Sequence, residues 1–220
     1  MNELELKQLW QTSNERLEKN LKINQEQVKD VQQLKIQHYL TSMKPIKFFT
    51  IIVGIIWVGI GMTLLSTIFV NAFEQANKFF LFSATIQVLI TGIALVVYIY
   101  QLITIYSVDV TETVLKTQKE LATLKSSTLW ITRILFLQLP VWTMFYWNES
   151  MIQNGNWFLW IIQAIVTLLF TYVAIWLFFN IKNENKDKKW FQLIFKGKEW
   201  TPLIKSMEIL DKIEEFQSEE

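Results

Sequence analysis

Four long apolar runs limit what this chain is able to fold into. Positions 48–70 read FFTIIVGIIWVGIGMTLLSTIFV without a charge, and positions 79–106 and 157–179 are uncharged as well. Positions 129–147 carry one charge, Arg133. A helix crossing roughly 30 Å of hydrocarbon needs about 20 apolar residues. A soluble helix keeps a polar face, and continuous runs of this length leave too little of one. The sequence therefore predicts an all-α protein with four transmembrane helices, at about 48–70, 79–106, 129–147 and 157–179. Three regions follow: a polar segment at 1–44, a four-span membrane domain at 45–180, and a tail at 181–220.

Charge is sparse in the runs and dense outside them, so the formal net charge is only +1 although 51% of the 220 residues are hydrophobic. Many of the 10 Trp and 16 Phe sit at the run edges, where amphipathic rings favour the headgroup level. A near-neutral chain lacks the basic face of a nucleic-acid binder. Without cysteine there is no disulfide, thiolate nucleophile or Cys-ligated metal. Positions 1–44 have no short apolar core followed by small residues, so no cleavable signal peptide is expected and the first run should act as an uncleaved insertion signal.

Lysine distribution gives the direction. Lys44, Lys47, Lys116, Lys119, Lys125 and Lys182 flank the runs on one side, whereas the two short connections on the other side hold only Lys78 with Glu74 and Glu149. Basic flanks stay in the cytoplasm, so both termini are expected there.

The cytoplasmic segments read as amphipathic helices that form a bundle. Thr12 and Glu15 have capping-box spacing, which predicts a helix from there to about Met43, with Pro45 opposing its continuation. Leu17, Leu21, Val28, Val31 and Leu34 form a stripe on it, interrupted by Asn24. That stripe suits packing within the chain, or a partner or second copy. After the second run, a helix continuing straight down to Lys125 would end roughly 28 Å below the membrane. Positions 126–128 recover only about 10 Å of that. The chain must instead turn near 107–111, with Asp109 and Thr111 as helix-start residues, and climb back as a long helix into the third run. In the tail, Lys186, Lys188, Lys189 and Trp190, followed by Phe191, Ile194 and Phe195, suggest an anchor at the lipid interface. Thr201 then reads as an N-cap with Pro202 at the first helical position. Leu203, Met207, Leu210, Ile213 and Phe216 form a second stripe, a candidate partner face like that of Leu17, Leu21, Val28 and Val31.

Polar groups inside the runs are few. Gln87, Gln138 and Gln163 lie deep, one in each of the last three runs. They suit hydrogen bonding between helices or, alternatively, a polar pore. Arg133 sits a turn inside the third run, within reach of the headgroups. Pro140 is positioned to kink that run. Gly54, Gly59 and Gly61 permit close helix contact in the first run. His38 is the only histidine and lacks a companion for a metal site. No phosphate loop, nucleophile elbow or metalloprotease pattern occurs. No enzyme activity, metal or cofactor is expected.

The opening ELKQLWQ, the helix that follows it, and VLKTQKELATLK leading into the third run resemble an uncharacterised family of small four-span membrane proteins of Bacteroidota, often encoded near sigma factors. The resemblance implies a bacterial inner-membrane location and no transferable site residues. The function expected is that of a non-enzymatic integral membrane protein, in contact with lipid, whose cytoplasmic helices bind a protein partner or self-associate. The alternative is a small oligomeric channel or transporter subunit.

Overall fold

The computed structural model describes residues 3–112, 114–197 and 200–218. All regular structure among them is helical. α1 spans Glu3–Asn71, α2 Lys78–Ser107, α3 Val114–Phe136, α4 Leu139–Met144, α5 Glu149–Asn154, α6 Trp157–Asn180, α7 Lys189–Phe195 and α8 Thr201–Ser218. A 3-10 turn, Asn183–Asn185, lies between α6 and α7. Three helices, α1, α2 and α6, are long and apolar enough to cross a membrane.

α1 corrects two boundaries. Its 69 residues pass through position 12, so the Thr12–Glu15 pair does not start the helix, and through Pro45, which does not end it. The side chain of Thr12 lies outside the described residues, as do those of Val114 and Phe216. A proline removes the N–H that would serve the carbonyl four residues earlier. Thr41 and Pro45 both lie on the exposed side, where that carbonyl is open to solvent. The opposite side, with Ile36, Leu40, Met43 and Lys47, is buried and keeps the helix continuous.

The chain runs four times between two ends. α1 and α2 form an antiparallel pair joined by a short turn. Asn77 caps α2 by accepting hydrogen bonds from the Phe79 and Phe80 amides at 2.9 and 3.3 Å. Gly54 and Gly61, seven residues apart, face Leu95 and Val88, also seven apart. A Cβ on Gly61 would come within 2.7 Å of Val88, while one on Gly59 meets nothing. Two of the three glycines therefore set the distance of approach between these helices.

The long connection reverses as the length argument requires. Asp109 Oδ1 accepts from the Thr111 amide at 2.9 Å and the Thr111 hydroxyl at 2.6 Å. These bonds hold the Asp109 carboxyl below the usual carboxylate range. Lys116 pairs with Glu112 one turn before it, which holds its ammonium above the usual lysine range. α3 then runs without interruption into the third apolar run. That run is not a single helix: α3 stops at Phe136 and α4 starts at Leu139, with Pro140 in its first turn. The carbonyl deprived of its partner by Pro140 belongs to Phe136, where α3 ends.

At one end the short connections meet. Asn77 Nδ2 donates to the Trp147 carbonyl, and the Trp147 ring lies 5.6 Å from that of Phe79 and 5.2 Å from that of Trp160. At the other end a larger core joins Ile36, Leu40 and Met43 of α1, Leu121 and Leu124 of α3, and Ile181 after α6. The same core takes in Phe191 and Phe195 of α7, and Leu203, Leu210 and Ile213 of α8. The aromatics that follow the basic cluster thus belong to this core. Phe191 and Phe195 stack at 4.4 Å, with Trp200 4.7 Å from Phe195, inside the core. Lys186, Lys188 and Lys189 are exposed, and Trp190 is half-buried, edge-on to Trp176. The N-cap of α8 also shifts, since Thr201 is already helical.

Candidate functional site

Two polar levels bracket the four legs. Lys47 and Asn71 on α1, like Gln101 and Asn77 on α2, are separated by about 36 Å of helix. That is close to the thickness of a hydrocarbon layer. Between the levels the legs turn apolar side chains outward. Phe48, Phe49, Ile56 and Trp57 on α1 are exposed, and so are Leu168, Leu169 and Phe179 on α6.

The level at the long-connection end is built around Lys47, which is fully buried. A buried ammonium is costly unless other groups replace its water. Gln101 Oε1 accepts from Lys47 Nζ at 2.7 Å, and the Tyr98 ring presents its face 4.0 Å from Nζ. Gln101 Nε2 in turn donates to Ser127 Oγ at 3.1 Å, and Ser127 Oγ donates to the Leu124 carbonyl at 2.9 Å. One chain of bonds thus joins α1, α2 and α3 at a single depth. The Lys47–Gln101–Ser127 chain acts as a clamp between the three helices.

Arg133 belongs to the same end. Its Nε donates to the Ile181 carbonyl at 2.5 Å, just past the C-terminus of α6. A cation there complements the negative end of the helix dipole. The side chain reaches the end of the fourth run, and the partner it finds there is backbone.

The three glutamines have different surroundings. Gln163 joins α6 to α4: Nε2 donates to the Thr143 carbonyl at 2.7 Å and to Thr167 Oγ1 at 3.2 Å, and Oε1 accepts from the Tyr146 hydroxyl at 2.5 Å. Gln138 is buried at the break between α3 and α4, where its side chain makes no capping bond. Gln87 is buried, and its Nε2 has no partner among the described residues. None of the three lines the groove found between α2 and α4. That groove, of about 330 Å³, is lined by Phe79, Phe82, Ser83, Ile86, Val141 and Met144 and opens beside Lys78. Its walls are almost wholly apolar, with no pair of titratable groups to act on a ligand.

The two candidate partner stripes separate. On α8, Leu203 and Leu210 are buried and Met207 is half-buried, all against the chain's own core. On α1, Leu17, Leu21, Val28 and Val31 each expose half or more of their surface.

Lys47 and Gln101 were not singled out in the sequence. Lys47 counts there as one more flanking lysine, and Gln101 as part of an apolar run. The available signal was positional: an antiparallel hairpin closed at 71–78 puts the start of the first run and the end of the second at one depth. Compared with protein-family models, curated proteins and solved structures, the chain matches none.

Proposed function

We propose that this is a four-pass membrane protein with both termini in the cytoplasm, where the outer part of α1 serves as a docking arm for a protein partner or a second copy. The α3–α4 leg connects the same two ends as the three long apolar helices, which supports a fourth crossing. The lysine-rich connections gather at the end that holds the large core, and this supports a cytoplasmic bundle there. The proposed setting is a bacterial inner membrane, as for the Bacteroidota family that the chain resembles.

One observation carries the docking role. The α8 stripe is buried within the chain, while a comparable stripe on α1 stays uncovered over Leu17, Leu21, Val28 and Val31. Apolar surface left in water is costly at about 25 cal/mol per Å², and aligned patches of this kind mark interaction sites. The role proposed is non-enzymatic. A pore lined by glutamines has less support, because Gln163 uses both ends of its amide within the chain.

The test is the mass of the complex extracted in mild detergent. The intact chain should travel in an assembly heavier than its own 26.2 kDa, and Leu17→Ser with Leu21→Ser should return it to a single chain. A wild-type monomer, or an assembly indifferent to both substitutions, would contradict the reading.

A further inference from the structure

The uncovered α1 surface has a more specific pattern than a generic apolar face. Leu17, Leu21, Asn24, Val28 and Val31 are spaced alternately by four and three residues. Trp10 and Asn14 extend the series upstream in the same rhythm. This is the 3.5-residue repeat of a two-stranded coiled coil, with Asn14, Leu21 and Val28 at a and Trp10, Leu17, Asn24 and Val31 at d. All seven are exposed. The body-facing stripe of the same helix, Ile36, Leu40, Met43 and Lys47, has the same spacing but begins five residues after Val31. That offset turns the outer seam by roughly 100° from the face that α1 presents to its own chain. The seam therefore lies to the side of the body-facing stripe and stays exposed.

We infer that the occupant of this seam is a second copy of the chain, joined in a parallel, in-register two-helix coil over about residues 10–31. The inference rests on the docking reading above and names its partner. Three features select self-pairing. First, the seam and the first leg belong to one helix, so two copies in one bilayer present their seams parallel and at equal height. Second, charge avoids the contact. Glu15, Arg16, Lys19, Lys22, Glu26 and Asp30 occupy the outer b, c and f positions. At the flanks, Ser13 would meet Glu18 of the other copy, and Gln27 would meet Gln32, with no like charges opposed. Third, Asn14 and Asn24 face their own counterparts only in register. A slip of one heptad would set Asn14 against Leu21 and Asn24 against Val31, burying amides on apolar side chains. Asparagine within such a seam fixes register at some cost in stability.

The absence of native cysteine makes the test clean. The full-length chain carrying a single Leu21→Cys, Val28→Cys, Lys19→Cys or Glu26→Cys is oxidised in native membranes. Disulfide dimers should form roughly tenfold faster at 21 and 28 than at 19 and 26, because only seam positions bring two Cβ atoms within bonding reach. Adding Val28→Asp to the Leu21→Cys chain should reduce that dimer by about tenfold or more. Val28 is exposed within the chain, so this change leaves the body intact. Equal cross-linking on both faces, or none at the seam, overturns the inference. If the seam fails to cross-link while the detergent complex still depends on Leu17 and Leu21, the docking reading survives and the second copy is replaced by another protein.

Discussion

Two amphipathic helices of similar pattern end in opposite situations. α8 is short, follows closely on α7, and lays Leu203, Leu210 and Ile213 into a core shared with α1 and α3. The outer part of α1 has an equally apolar stripe, yet it extends past that core and keeps Leu17, Leu21, Val28 and Val31 in the open. Amphipathicity states that a face must be covered; it does not state by what. Connection length and helix phase decide that. α8 begins only six residues after α7 ends and packs back on the body, whereas the five-residue offset after Val31 turns the α1 seam aside from the face that α1 presents to it.

The largest effect expected from this contrast comes from truncating each stripe. Leu203→Ala should cost about 2–5 kcal/mol of body stability, as for other fully buried leucines, read by chemical unfolding in detergent. Leu21→Ala should leave body stability within about 0.5 kcal/mol under dissociating conditions. Equal losses would erase the distinction between the two helices.

The next effect sharpens where the body ends. Gln101→Leu leaves Lys47 without its 2.7 Å acceptor and should cost about 1–3 kcal/mol. Adding Lys47→Met to it should recover part of the loss, since an apolar pair is often as stable as a buried charge. Further from the clamp, Gly61→Leu should separate α1 from α2 at a cost of about 1–3 kcal/mol, while Gly59→Leu should have little effect. Helix-pair cysteine cross-linking compares the two.

The smallest effect lies at the reversal between α2 and α3. The depressed Asp109 carboxyl contributes stability above the ordinary carboxylate range, and that contribution is lost as pH falls through its lowered value. Protection of the Thr111 amide, taken relative to its intrinsic exchange rate, should thus hold from neutral pH down to the ordinary carboxylate range and fall only below it. Asp109→Asn should lower that protection slightly at every pH.

Much of this was legible in the residues because hydrocarbon imposes a simple rule. Continuous apolar runs marked the three long helices, and an argument from chain length alone placed the reversal near Asp109 and the climb along α3. Pro140 marked the weak point of the third run, although the break falls at Leu137–Gln138, just after the Phe136 carbonyl that Pro140 leaves without its helical partner. Pro45 misled because a local rule about backbone geometry was outweighed by burial of Met43 and Lys47 on the opposite side. The burial of Phe191 and Phe195 was not legible, because Phe beside Lys looks alike at a lipid surface and at the rim of a core. The clamp of Lys47, Gln101 and Ser127 was hidden because its members lie far apart in sequence and share only a depth.

The central claim is that all four legs cross one bilayer with both ends of the chain on the same side. Its most direct test uses single cysteines in the otherwise cysteine-free chain, placed at Ser13, Lys119, Glu149 and Glu184, with a membrane-impermeant thiol reagent applied to intact cells. The account predicts that only the cysteine at 149 is labelled, and that the other three react once the membrane is opened. Labelling at 13 and 184 from opposite sides would contradict it.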